Sequence, residues 1–293
     1  MMKIGLQLPH FRPSNPDTMR HWLLDTARIV DQGGFDSIWV MDHFFQLGGW
    51  LGEAEDMMVE GYTTLGFLAG ITQKVSIGLL VGGVIYRHPA LVIKMVSTLD
   101  VLSGGRAYMG IGAAWYEHET VSLGMNFPPV KDRFEQLEEI LQIAHHMWSG
   151  ETSAFKGNLF QMPYPVNNPQ PLTKPHPPIL IGGMGPRKTL RYVAKYADAC
   201  NFFAGAGLEV IEERLDVLRK HCADVGRPYA DIEKTILATA DFAEGSTADV
   251  IELGQSLKAL GFEHIIFNIK GEYTPETLAV FNDEIIPELK NGE

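Results

Sequence analysis

"KIGLQLPHFRPSNPDTMRHWLLDTARIVDQGGFDSIWVM", residues 3–41, holds one complete structural unit. A β-rich run (3–8) is followed by helical apolar periodicity over 17–33, a Gly-Gly stop and a second β-rich run (36–41). Runs this apolar suit strands buried on both faces, the habit of parallel sheets covered by helices. The unit then recurs. Strand-like runs lie at 74–81, 106–112, 178–183, 199–203, 233–240 and 263–269, and helical periodicity fills 62–72, 90–103, 131–149, 187–197, 208–225, 247–260 and 275–287. "LVIKMVSTLDVLSGG" (91–105) shows both the apolar stripe and the glycine stop. Eight strands alternating with eight helices predict an α/β fold, a (β/α)8 TIM barrel forming a single domain over residues 1–293. A doubly wound open sheet is the competing arrangement; the near-constant repeat favours closure.

Two insertions break the rhythm. Residues 44–61, "FFQLGGWLGEAEDMMVEG", follow strand two and so fall on the C-terminal face, where barrel active sites sit; they are expected to cover a pocket. Residues 150–177, before strand five, are proline-rich and contain a hairpin signal, "FKGNLFQM".

Composition narrows the function. The formal charge of −12 disfavours nucleic acid or an anionic membrane as partner. Cys200 and Cys222 are the only cysteines, too few for a disulfide framework. The chain opens without a signal-peptide pattern, and no apolar run reaches the ~18 residues of a membrane span. A cytoplasmic protein acting on a small molecule is the expectation.

In a barrel, the strand ends name the site. Here they offer His10 and Phe11, Asp42 and His43, Leu80 to Gly83, Ala113 to Tyr116, Gly182 to Gly185, Asn201 to Phe203, Asp241, and Asn268 with Lys270. The set is rich in glycine and aromatics and has no metal-ligand spacing. The doublet His145-His146 lies within a helical stripe and is assigned to packing or surface. "GGMGPRKTLRYVAKYAD" (182–198) is the most informative stretch. Gly182, Gly183 and Gly185 let backbone amides approach a ligand, Pro186 suits a helix start, and Arg187, Lys188 and Thr189 add donors. An anion site is expected there, against the plainer reading of a glycine-rich turn. "GIGAAW" (110–115) half matches a dinucleotide fingerprint but carries Trp115 where the third glycine belongs. Together these ends suit a flat ring system with a phosphate tail.

The segments "GFDSIWVMDHFF", "LLVGGVIYRHPALVIKMVSTLDVLSGGRAYMGIGAAWYEHE", "FPPVKDRFEQLEEILQIAHHMWSGE" and "PPILIGGMGPRKTLRYVAKYADACN" resemble the luciferase-like monooxygenase superfamily. Within it they are most similar to the branch using the 5-deazaflavin coenzyme F420. The likeness spans residues 3–205; the last third matches only in rhythm. The resemblance implies a (β/α)8 barrel, a pocket lined by the catalytic candidates His43 and Asp42, with His43 as hydrogen-bond partner or proton carrier and Asp42 the second candidate for that role, and a bulged third strand with a non-prolyl cis peptide at Leu80–Val81. It places the cofactor against Leu80, Val81 and Gly82, its ribityl chain along Gly112 and Ala113, and its phosphate at Gly182, Gly183, Met184, Gly185, Arg187, Lys188 and Thr189. It also implies pairing into a homodimer. Sugar-phosphate dehydrogenases of this branch carry a catalytic glutamate after strand four, where this chain has Trp115. Glu117 and Glu119, further along, read as solvent-facing. A bulkier apolar substrate is therefore expected, against Phe11, Trp50, Trp115 and Tyr116. Arg87-His88, ahead of Pro89, reads as structural. The implied activity is hydride transfer between F420 and a small organic substrate. The alternatives are an FMN-dependent two-component monooxygenase and a barrel that binds a flavin-like ligand without turnover.

Overall fold

The structure is a computed structural model and describes residues 1–291. Eight parallel strands form the wall: β1 (Lys3–Leu8), β2 (Ser37–Val40), β3 (Ser76–Leu79), β4 (Ala107–Gly112), β5 (Ile179–Gly182), β6 (Ala199–Phe203), β7 (Glu233–Asp241) and β8 (His264–Lys270). They pair in the order β3-β2-β1-β8-β7-β6-β5-β4, and β3 pairs back onto β4, so the sheet closes. The TIM barrel expected from the alternation is the fold.

The helices are α1 (Met19–Gln32), α2 (Gly61–Ile71), α3 (Pro89–Ser103), α4 (Glu117–Ser122), α5 (Val130–Trp148), α6 (Thr189–Tyr196), α7 (Leu208–Val225), α8 (Thr247–Ala259), α9 (Pro275–Val280) and α10 (Ile286–Asn291). Two details depart from the sequence reading. The short polar α4 was not expected, and the final helix is broken by a π-helical turn over Phe281–Ile285. The hairpin in the second insertion is present, Phe155–Lys156 pairing antiparallel with Gln161–Met162. Among the described residues no helix is long and apolar enough to cross a membrane.

Apolar side chains between wall and helices form the main core, while Trp39, Leu80, Leu180, Ala199 and Ile266 fill the barrel interior. Towards the N-terminal end a polar network closes the barrel. The Tyr108 hydroxyl and the Lys3 ammonium donate to Glu233, the His264 ring bonds the Ser37 hydroxyl, and Trp39 Nε1 donates to that same hydroxyl.

One irregularity shapes the opposite end. Gly78 pairs with Tyr108 and Gly82 with Ile111, so Leu79, Leu80 and Val81 face only Met109 and Gly110. That is a bulge of one extra residue, and bulges re-aim side chains. The Leu80–Val81 peptide within it is cis, at the position the resemblance implied. The bulge requires close approach: a Cβ built on Gly110 would lie 1.8 Å from the Leu79 carbonyl oxygen. Neither backbone can give way. Gly110→Ala should therefore lower unfolding free energy by at least about 2 kcal/mol in a denaturant titration. Gly70→Ala, where the added Cβ meets nothing within 4 Å, should be neutral or stabilising by up to about 1 kcal/mol.

Candidate active site

A cavity of about 700 Å³ opens at the C-terminal ends of the strands. Its wall includes Asp42 and His43 after β2, Leu80 to Gly83 from the bulge, Gly112 to Trp115 after β4, and Gly182 with Gly183 after β5. Eleven residues expected at the site line it: Asp42, His43, Leu80, Val81, Gly82, Gly112, Ala113, Trp115, Gly182, Gly183 and Thr189.

The glycines there have a geometric cause. Because the bulge pushes Val81 forward, a Cβ on Gly182 would lie 2.7 Å from Val81 Cγ2, and one on Gly112 would lie 3.0 Å from the same atom. Gly183 adopts φ +109°, a region that favours glycine. Val81 thus stands against a floor without side chains. Beside this slot α6 begins at Thr189, with no side chain capping its N-terminus.

Asp42 is nearly fully buried, and both carboxylate oxygens are engaged. Arg87 binds it through two guanidinium nitrogens at 2.8 Å each, and the Gly83 amide donates to Oδ2 at 3.0 Å. Arg87 also reaches Glu60 at 2.5 Å, and Glu60 in turn accepts from the Tyr62 and Thr63 amides at the start of α2. Burial alone would lower the Arg87 guanidinium pKa, but the Asp42 and Glu60 carboxylates push it above its usual value. His88 caps α3, its Nδ1 accepting from the Ala90 amide.

His43 is held by a residue the sequence reading set aside. Glu119, expected to face water, is fully buried. Its Oε1 faces His43 Nδ1 at 2.7 Å and accepts from the Tyr86 hydroxyl; its Oε2 accepts from the Phe44 and Phe45 amides at 2.8 and 3.2 Å. Helix α4 turns Glu119 inward towards the post-β2 loop, which explains the correction. Burial would raise this carboxyl, yet hydrogen bonds from His43, Tyr86 and the Phe44 amide hold it below the usual carboxylate range. Trp115 and Tyr116 meet the His43 ring edge-on at 5.7 and 5.8 Å.

Several expected residues lie elsewhere. Phe11 is buried, its ring edge-on to Trp22. Trp50 packs edge-on against His10, its carbonyl held by Arg12, and its neighbours Leu47 and Leu51 face the cavity instead. Tyr116 stacks behind Trp115 at 5.2 Å rather than lining the cavity itself. Met184, Gly185, Arg187 and Lys188 also stay off the wall: the turn ahead of α6 carries the two cations outward, and Lys188 sits over the Phe134 ring at 5.5 Å. Among the cavity residues not foreseen are Gln7, Tyr86, Glu117, Phe127 and Arg133. Arg133 is the one Lys or Arg among the described lining residues; it donates to the Ala113 and Ala114 carbonyls and stacks on Phe127 at 4.2 Å.

Residues 2–264 match the luciferase-like monooxygenase family. The chain belongs to this family, and it is an oxidoreductase. A relative named F420-dependent glucose-6-phosphate dehydrogenase, from Kineococcus radiotolerans, is 30% identical over 224 residues. That match takes in 76% of this chain and 64% of the relative's length. An F420-dependent secondary alcohol dehydrogenase, solved with an F420-acetone adduct, superposes with a TM-score of 0.81 at 19% identity, covering 98% of this chain and 99% of that one. The monooxygenase RslO1 from Streptomyces bottropensis gives 0.81 at 16%, with the same coverage of 98% and 99%. At such identities the two structures speak for the fold alone.

The Asp42–Arg87 pair yields a stability prediction. Arg87→Leu leaves a buried carboxylate without its partner and should cost about 3–5 kcal/mol in urea unfolding. Adding Asp42→Asn should recover part of that loss, since the charge is then gone.

Proposed function

We propose that this chain is an F420-dependent oxidoreductase that moves a hydride between the deazaflavin and a small, predominantly apolar organic substrate. One observation carries the reading: a single cavity is lined both by Val81 with its glycines and by an imidazole, His43. The slot suits a flat ring, since Gly112, Gly182 and Gly183 line it with backbone and let Val81 pack close against them. Thr189 and the uncapped start of α6 suit the phosphate of its side chain. The Kineococcus relative, whose name specifies F420, supports the choice of cofactor.

When bound, the deazaflavin supplies hydride chemistry. The residues of this chain do the rest. Val81 and the bulge back the ring. Leu47, Leu51, Trp115, Phe127, Val130 and Phe203 supply apolar contact and exclude water. His43 holds or moves the proton that must accompany hydride transfer at the substrate oxygen or nitrogen. Asp42 positions the loop that carries His43. A sugar phosphate is disfavoured, because Arg133, the single cationic Lys or Arg on the described wall, is engaged with carbonyls and a ring.

Titrating the purified protein with F420 and with FMN, followed by absorption and fluorescence, tests the cofactor. Saturable binding of F420 with weaker or no binding of FMN is expected; the reverse order moves the protein to the monooxygenase chemistry. Once a substrate is in hand, His43→Gln should slow turnover on the order of 10²–10⁴-fold while leaving F420 affinity within a few-fold. Parental turnover with only the melting temperature changed would make the histidine structural.

A further inference from the structure

Glu119 has no role in the function as proposed, yet it is the most heavily coordinated carboxylate at the site. It is fully buried and faces four hydrogen-bonding groups: the Phe44 and Phe45 amides on Oε2, and the Tyr86 hydroxyl and His43 Nδ1 on Oε1. The two amides can only donate. A carboxyl that accepts from two amides and the Tyr86 hydroxyl is held in its ionised form. An ionised carboxylate cannot donate to Nδ1, so the ring must donate to it. Nδ1 therefore carries a hydrogen. Among the described residues Nε2 has no hydrogen-bond partner, and it is not one of the buried atoms lacking one, so it is open to the cavity that His43 lines.

We propose that Glu119 is a positioning residue that fixes the His43 tautomer, so that the neutral ring presents the Nε2 lone pair to the substrate. Tyr86 completes the clamp by holding the same carboxylate oxygen. A substrate that brings a hydroxyl then meets an acceptor. As the O–H bond breaks, its electron pair stays on oxygen and its proton bonds to Nε2. The resulting imidazolium lies against the Glu119 carboxylate, which stabilises the charge. In the reverse direction the Nε2–H returns the proton to a carbonyl oxygen. The inference rests on the oxidoreductase reading above, with the deazaflavin as hydride acceptor or donor, and it points to an alcohol–carbonyl pair as the substrate class.

The carboxylate-to-amide change separates positioning from mere packing. In Glu119→Gln the side-chain oxygen must still face the Phe44 and Phe45 amides, which leaves the NH2 group facing Nδ1. Nδ1 then becomes the acceptor and the ring hydrogen moves to Nε2. The measurement is the 15N spectrum of the His43 ring in cofactor-free protein labelled with 15N-histidine. The His43 signals are assigned by their loss in His43→Gln. Because no cofactor is present, the readout stands even if the F420 reading fails.

The parent should show a protonated Nδ1 and a bare Nε2 at neutral pH, and Glu119→Gln the reverse. With substrate, kcat should fall on the order of 10²–10⁴-fold with KM little changed, as for other carboxylate–imidazole pairs that lose the right tautomer. A parent spectrum with hydrogen on Nε2 overturns the proposal, and that result needs no variant to fold. So does a tautomer flip that leaves kcat intact, or a loss of kcat without a flip, which would mark Glu119 as packing only.

Discussion

A buried carboxylate holds this site together. Asp42 follows β2, and its two oxygens receive Arg87 and the Gly83 amide. Through Arg87 it is tied to Glu60 and so to the first turn of α2; through Gly83 it is tied to the far side of the β3 bulge. Three segments that approach from different parts of the chain are thus fixed to one another at the mouth of the barrel. A charge this deeply buried is tolerable only because its partners are complete. The next residue is His43, so the ion pair sets where the imidazole stands.

The same loop carries the second constraint. Once Asp42 fixes the chain, the Phe44 and Phe45 amides point at Glu119, and Glu119 in turn holds His43 and Tyr86. The same cavity holds the glycine floor, where Val81 projects because the bulge has room for it only next to residues without Cβ atoms. A rigid imidazole thus shares a cavity with a shaped apolar slot, and pre-organisation of this kind is what lets a proton carrier act without rearranging during the reaction.

The barrel was legible because its evidence is local and repeated: apolar runs of strand length alternating with amphipathic stretches. The glycine floor was legible for a related reason, since Gly182-Gly183 and Gly112 sit at strand ends where only backbone geometry demands them. The rest of the site depended on contacts distant in sequence. Glu119 lies 76 residues from His43, and the six-residue polar helix that turns it inward carries no periodic signal. Glu117 and Glu119 look alike in sequence; only packing of α4 against the post-β2 loop distinguishes them. Arg187 and Lys188 are exposed beside the glycine turn and off the cavity wall, a placement the sequence alone does not give. Phe11 likewise follows β1, yet its ring is buried edge-on to Trp22.

The central claim is that the slot lined by Val81 and the glycine floor holds a flat cofactor ring, with His43 Nε2 open to the same cavity. A crystal structure of the protein soaked with F420 tests this most directly. The account predicts the ring against Val81, the phosphate by Gly183 and Thr189, and Nε2 facing the space left for substrate. A ring found at the ends of β7 and β8, with no cofactor atom near Gly183, would contradict it.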